Sequence, residues 1–124
     1  MPRFMTLIRI DEQQASEFQP DPGFEERMGA LFAEITKAGV MLDTAGLLPT
    51  EEGTRLLWEG GKVSCTDGPF TETKEVVGGY ALLQCKDKEE AVEWTRRFLE
   101  THPAHWTVGA ELRQIDESTT PPEA

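Results

Sequence analysis

The residues with the clearest chemical potential lie between positions 67 and 80, in the run DGPFTETKEVVGGY. Asp67 ends an apolar segment and precedes Gly68 and Pro69. A partly buried carboxylate in such a place has a raised pKa and can act as a general acid or base. The alternative is a turn in which the carboxylate accepts hydrogen bonds from the backbone N–H groups that follow it. The two roles can coexist, and Asp67 is the single catalytic candidate.

The residues that follow this carboxylate supply candidate ligand-binding groups. Gly68 and Pro69 are expected to shape the loop, and Phe70 either walls a pocket or fills the core under the loop, with the core favoured. Thr71 and Lys74 stand in a charged stretch, TETKE. A lysine there can hold an anionic group of a ligand, although a solvated face with internal ion pairs is the commoner arrangement.

Two further residues complete the candidate set. Tyr80 follows Gly78-Gly79, which predicts a bulge or a close backbone approach at the start of a strand. Its hydroxyl either enters a cavity or makes one hydrogen bond at the edge of the core. Arg113 shares the less apolar face of the last strand with Glu111, where the two side chains form an ion pair across an interface or line a cleft.

Other catalytic patterns find no support in the sequence. His102 and His105 are separated by Pro103, which prevents a regular helix, and no third ligand stands at a suitable spacing, so no metal site is predicted. No glycine-rich phosphate loop and no G-x-S-x-G pattern occurs. We therefore predict no cofactor, and neither nucleotide binding nor nucleophilic hydrolysis.

Length and charge restrict the class of protein. The 124 residues suit one domain over residues 1–115, with a disordered acidic tail over 116–124. Twelve basic against 23 acidic residues give a net charge of −11, which disfavours nucleic acids and anionic membranes as partners. No signal peptide or membrane-spanning run is found, and Cys65 and Cys85 lack CxxC spacing. We expect a cytoplasmic protein whose reduced thiols act as small core hydrophobes.

Hydrophobic periodicity predicts an α+β fold. Helices are expected from the cap Asp21-Pro22 to Gly39 and over 88–101, each with a single apolar stripe. Residues 11–20 are expected to form a loop. Strands are expected at 3–10, 40–43, in a hairpin over 54–66, at 80–85 and at 106–115. The order β-α-β, inserted hairpin, β-α-β is the ferredoxin-like split βαβ arrangement, one sheet with two helices on one face.

The first strand is apolar on both faces, which has a consequence for assembly. The two helices cover one face, so Met5 and Leu7 on the other face need a cover. A second copy of the chain is the simplest cover for these side chains, and we predict a homodimer through the open sheet face.

The run DGPF, then ETKE, then GGY closely resembles the DGPF branch of the YCII-related family. The opening FMTLIRI, the segment AGVMLDTAGLLP at 38–49 and the closing VGAELRQI resemble it too. The resemblance implies a fold of dimeric α/β-barrel type. In the sister branch a His and an Asp are the suspected active pair; here only Asp67 matches, and the His near the first strand has no clear counterpart.

The resemblance leaves two functions open. Members of the DGPF branch are mostly uncharacterised, and some resemble neighbours or fusion partners of extracytoplasmic-function sigma factors. The first hypothesis is therefore a binding or accessory module that takes a small molecule or a partner in a sigma-factor-linked role. The alternative is a small cofactor-independent enzyme, resembling a lyase, isomerase or monooxygenase. It would use Asp67 for proton transfer beside Tyr80 or Lys74, on a small substrate for which aromatic rings are candidates.

Overall fold

The computed structural model of the chain describes residues 1–15 and 21–118. The helices are α1 (Glu12–Ala15), α2 (Pro22–Lys37) and α3 (Lys88–Glu100), and a short 3-10 turn covers Thr50–Glu52. The strands are β1 (Arg3–Ile10), β2 (Met41–Gly46), β3 (Thr54–Glu59), β4 (Lys62–Asp67), β5 (Val76–Gln84) and β6 (Gly109–Gln114).

Four strands form one antiparallel sheet in the order β2-β5-β1-β6. This is the strand order of the ferredoxin-like split βαβ fold, so the predicted fold class is confirmed. β1 and β5 are the central strands, which explains why β1 is apolar on both faces. Side chains from both helices pack on one face of the sheet, and the core there consists of Phe4, Ile35, Val40, Leu83, Cys85 and Ala91.

The helix boundaries follow the capping residues that the sequence indicates. The Asp21 carboxylate accepts a hydrogen bond from the Gly23 N–H at 3.0 Å, and Gly39 has φ +70° just past the end of α2. At α3, Asp87 accepts from the Glu90 N–H at 2.9 Å. The Glu90 side chain reaches back to the N–H of Lys86, at 3.3 Å, rather than to that of the cap residue.

Several local predictions differ from the structure. α1 begins inside the segment expected to be a loop, and residues 16–20 of that segment lie outside the described part of the chain. β2 continues to Gly46, because its pairing with β5 extends through Ala45 opposite Tyr80. β6 begins only at Gly109, because Trp106 packs against Phe24 instead of entering the ladder.

The hairpin β3–β4 forms a two-stranded sheet of its own, and every residue of both strands is exposed. Cys65 lies in this hairpin and is exposed, whereas Cys85 is buried. The prediction that both thiols are core hydrophobes is therefore wrong for Cys65. Strand periodicity identifies an apolar segment, but it does not say whether another layer covers it.

The two ends of the described chain lie side by side. The Arg3 Nε and Glu117 Oε1 atoms are 2.7 Å apart, which ties β1 to the segment after β6. Most of the predicted tail, residues 119–124, lies outside the described residues. Within residues 1–15 and 21–118, no helix is both long and apolar enough to cross a bilayer.

Candidate functional site

Two regions of the molecule are candidates for function. The first is the DGPF loop, residues 67–70, with the charged stretch that follows it. The second is a cavity between the two long helices and the sheet. The sequence-predicted residues fall mainly in the first region, and the enclosed space lies in the second.

Asp67 ends β4 with its side chain exposed. Its Oδ1 accepts a hydrogen bond from the Thr54 hydroxyl, 2.9 Å away on the neighbouring strand. The predicted turn, in which the following N–H groups serve this carboxylate, does not form. The Gly68 N–H is donated to the Gly53 carbonyl at 2.9 Å, Pro69 has no N–H, and the Phe70 N–H goes to the Thr50 hydroxyl at 3.2 Å.

Gly68 lies directly against the 3-10 turn. A Cβ at this position would overlap the carbonyl oxygen of Thr50, so only glycine fits. The next peptide bond, to Pro69, is cis. Glu12, on α1, connects that helix to the 3-10 turn. Its carboxylate accepts one hydrogen bond from the Thr50 N–H, at 2.7 Å, and another from the Thr50 hydroxyl. Gly68 and Pro69 thus shape the loop, as predicted.

Phe70 is half-buried beside the base of the hairpin. The Arg55 guanidinium lies over its ring, with Cζ 3.9 Å from the ring centroid. The same guanidinium pairs with Glu72 and donates to the Thr73 hydroxyl at 2.8 Å. The hydrogen bond from the residue's own backbone N–H, together with that from Arg55, lowers the pKa of the Glu72 carboxyl. Glu72 is thus paired with Arg55 on β3 and not with a cation inside the charged stretch, so the ion pair joins the stretch to the hairpin.

Thr71 and Lys74 lie at the outer rim of the loop, and both are exposed. They line a shallow surface depression together with Asp11, Glu12 and Glu72. Three carboxylates beside a single lysine make this depression electrostatically unfavourable for an anionic ligand.

Tyr80 lies on the sheet face opposite the helices. Its hydroxyl donates to Asp43 Oδ2 at 2.9 Å, and this bond, with the charge of Asp43, raises the pKa of the phenol above its ordinary value of 10.0. Leu7 and Ala45 are its cross-strand neighbours. Its phenol therefore belongs to the open face of the sheet and not to the DGPF loop.

Arg113 lies on the same open face and is exposed. Its Nη1 is 3.2 Å from Glu111 Oε2, and Arg9 Nη1 is 3.4 Å from Glu111 Oε1. Arg9 also reaches Glu75, with 3.4 Å between Nε and Oε2. Within one chain these four side chains form a charged network at one end of the open face.

The cavity between the helices and the sheet has a volume of about 230 Å³. Its walls are almost entirely apolar, and no charged residue lines it among those that the structure describes. The helices contribute Leu31, Phe32, Trp94 and Phe98, and the sheet contributes Ile8 and Ala81. Thr44, Ala45 and Gly46 also line it and are exposed, which places the opening at the β2 edge.

The inner end of the cavity carries two hydroxyl groups. Thr6 is only 3% exposed, and its Oγ1 lies 3.2 Å from that of Thr95 on α3. Thr6 was not among the residues that the sequence singled out. The sequence did contain a hint of a special role for Thr6. A polar side chain between Phe4 and Ile8, on a face that is otherwise apolar and buried, points to such a role more strongly than an apolar side chain would.

Gly78 and Gly79 form the predicted irregularity, but they lie within β5, which begins at Val76, and not at the start of a strand over 80–85. The register between β1 and β5 shifts opposite Gly78, at Ile8 and Arg9. A Cβ on Gly79 would lie 2.9 Å from the Ala45 carbonyl oxygen, so the glycine permits a close approach of β2 to β5. Both glycines line the cavity.

Comparison with known proteins identifies the family of the chain. The chain is 31% identical over 114 residues to an uncharacterised protein of Rhizobium meliloti (strain 1021), a match that covers 90% of each protein. The family model for the YCII-related domain matches residues 3–114, which include all six strands and all three helices. The chain therefore belongs to the YCII-related family.

Proposed function

We propose that this protein is a non-catalytic binding domain that holds a small neutral molecule in the cavity between its helices and its sheet. The observation that carries the proposal is the cavity itself, about 230 Å³ of mainly apolar space with a polar inner end. Sites for small molecules are typically concave and apolar, with a few placed polar groups.

The polar groups of the DGPF loop are largely bonded within the protein, which favours the cavity over the loop as the ligand site. The backbone N–H groups of Gly68 and Phe70 already have partners within the protein, and Arg55 is held by Glu72 and Thr73. Asp67 is exposed. A general acid or base needs a substrate held within hydrogen-bond reach, and Asp67 does not line the cavity between the helices and the sheet.

The second part of the proposal concerns assembly as a homodimer through the open sheet face. Met5, Leu7 and Leu82 form an apolar centre on that face, and the network of Arg9, Glu75, Glu111 and Arg113 lies beside it. In a two-fold dimer a patch meets its own copy, so a surface that carries both signs of charge is complementary to itself. This matters for a chain with net charge −11, whose copies otherwise repel each other.

The ligand proposal is tested by filling the cavity from Ala81, which faces the helices on β5. A phenyl ring introduced by Ala81→Phe occupies the space that a small aromatic ligand would take. In the wild type, a ligand at ten times its Kd stabilises the folded state by about 1.4 kcal/mol, a rise in Tm of roughly 4–6 °C. We expect Ala81→Phe to remove this shift and Ala33→Phe, on the exposed side of α2, to retain it.

A thermal-shift screen of one-ring neutral compounds makes the measurement, with circular dichroism as a check of folding. The proposal is wrong if no such compound stabilises the wild type, or if the shift survives in Ala81→Phe.

The assembly proposal is tested by sedimentation of Leu7→Asp. A carboxylate in the centre of a buried interface has no partner and disfavours association. We expect a dimer for the wild type and a monomer for the variant. Val92→Asp, on an exposed apolar position of α3, is the matched control and should remain dimeric. A monomeric wild type would refute this part of the proposal.

A binding domain of this kind suits an accessory role, in which the ligand alters contacts with another protein. The likeness to sigma-factor-linked members of the family makes such a system the first place to look for that partner.

A further inference from the structure

We infer that the cavity selects neutral one-ring molecules with a single hydrogen-bond donor, such as phenols and cyclic alcohols, over equally sized molecules without one. The inference rests on the proposed function, since it names the class of ligand for the same cavity. Its basis is the direction of the hydrogen bonds at the inner end.

The two inner hydroxyl groups form a chain with a fixed direction. Thr95 Oγ1 lies 2.9 Å from the Ala91 carbonyl oxygen. A carbonyl oxygen only accepts, so the single hydroxyl proton of Thr95 is donated there. The proton between Thr6 and Thr95 must then come from Thr6. Thr95 accepts it, and Thr6 is left with its lone pairs and without a proton to offer.

The other hydroxyl groups near the cavity already have partners. Thr44 Oγ1 donates to the Tyr80 carbonyl oxygen at 2.9 Å, at the exposed edge. The Tyr80 hydroxyl lies on the opposite face of the sheet, bonded to Asp43. Among the side chains that the structure describes, the Thr6 oxygen at the inner end accepts no hydrogen bond, whereas the Thr95 oxygen already accepts one from Thr6. Thr6 therefore favours a ligand that brings a donor.

The dimensions and the charge of the cavity restrict the ligand further. An apolar cavity of about 150 Å³ accommodates benzene, so about 230 Å³ suits one ring with a small substituent. No charged side chain lines the walls in the described part of the chain, so an ionised ligand would lose its hydration without compensation. A neutral ring with one hydroxyl group meets both conditions.

The test compares two probes of nearly equal shape, 4-fluorophenol and 4-fluorotoluene, by fluorine NMR titration. The decisive quantity is the ratio of their Kd values in the wild type relative to the same ratio in Thr6→Val. This double comparison cancels the different hydration of the probes. Valine keeps the shape of threonine and removes the acceptor, so we expect 4-fluorophenol to bind roughly tenfold more weakly and 4-fluorotoluene to change little.

Thr95→Val provides a second, independent variant. It removes the acceptor for the Thr6 proton, so Thr6 becomes able to donate. We expect 4-fluorobenzaldehyde, which only accepts hydrogen bonds, to gain affinity in this variant, while 4-fluorophenol is retained. Thr66→Val, at an exposed position of β4 that does not line the cavity, is the matched control and should leave the ratio between the probes unchanged.

The outcomes distinguish a failure of this inference from a failure of the proposed binding function. If neither fluorinated probe binds the wild type, both are wrong. If both bind and Thr6→Val alters their Kd ratio by less than a factor of two, the cavity binds ligands but does not select donors, and the inference alone is overturned. Should Thr6→Val fail to fold, an unchanged affinity of Thr95→Val for 4-fluorobenzaldehyde overturns it equally.

Discussion

The DGPF loop and the cavity beneath the helices differ in how their polar groups are used. In the loop, the N–H groups of Gly68 and Phe70, the Thr50 hydroxyl and the Arg55 guanidinium all bond to other parts of the chain. In the cavity, few polar groups are present, and one of them, the Thr6 oxygen, retains accepting capacity. The packing of the DGPF loop thus accounts for the more conspicuous sequence, and the binding site that we propose lies in an ordinary apolar stretch.

Among the variants that test this difference between the loop and the cavity, Gly68→Ala should change stability the most. Its methyl group would overlap the Thr50 carbonyl oxygen, which is backbone and cannot move aside as a side chain can. We expect the free energy of unfolding to fall by about 3 kcal/mol, measured by urea denaturation.

Gly29→Ala is the control for this substitution. It lies within α2 with open space around its Cα, and alanine there should raise stability by up to about 1 kcal/mol. A Gly68→Ala protein within about 0.5 kcal/mol of the wild type would contradict the structural role assigned to the loop.

A smaller effect is expected from Asp67→Asn. The asparagine carbonyl oxygen can still accept from the Thr54 hydroxyl, and the site is exposed, so stability should change by less than about 0.5 kcal/mol. The affinity for 4-fluorophenol should not change. Fluorine NMR and urea denaturation provide the two measurements.

The same variant addresses the alternative of an enzyme. If Asp67 transfers a proton during turnover, Asp67→Asn abolishes the activity while leaving the fold intact. A loss of ligand affinity in Asp67→Asn would indicate that the ligand binds at the DGPF loop and not in the cavity.

The smallest effect is a difference in pH dependence between the two regions. The pKa of Glu72 is lowered, chiefly by the hydrogen bond from its own N–H and also by Arg55. A depressed pKa of this kind contributes stability above its ordinary value of 4.5, and the contribution is lost as pH falls through the lowered value. We expect the amide protection factors of the hairpin, which correct for the intrinsic pH dependence of exchange, to fall below about pH 4.5. In Glu72→Gln no carboxylate titrates at this position, so the fall should be smaller.

The cavity should behave differently over the working range of pH. No charged residue lines it within the described chain, so the affinity for 4-fluorophenol should be constant between about pH 5 and pH 8. A pH-dependent affinity in that range would show that a titrating group reaches the ligand.

Much of the fold could be predicted from the sequence because local signals and tertiary structure agree. Asp21 before Pro22, and Asp87 three residues before Glu90, mark helix starts that the structure confirms. The two apolar faces of β1 correctly indicated a central strand. The hairpin at Gly60-Gly61 was also predicted, since φ values of +60° and +75° at these residues suit glycine.

The candidate site was predicted less well, for physical reasons. Residues 67–74 carry reactive side-chain types, but which partners they meet depends on α1 and the 3-10 turn, which lie far from them along the chain. Cys65 and Cys85 occupy similar apolar stretches, and only the layer of helices over one of them makes it buried. That burial, with the nearby Glu90, raises the pKa of Cys85 to about 11.

By itself, the sequence determined the order of the six strands and the two long helices, the capping residues of those helices and the faces of the strands, because these depend on neighbours within a few residues. The tertiary structure alone decided that Thr6 on β1 lies beside Thr95 on α3, 89 residues away, and that the space next to them stays open. The volume of a cavity and the direction of a hydrogen-bond chain arise from the distance between packed layers, and no local pattern of residues encodes that distance.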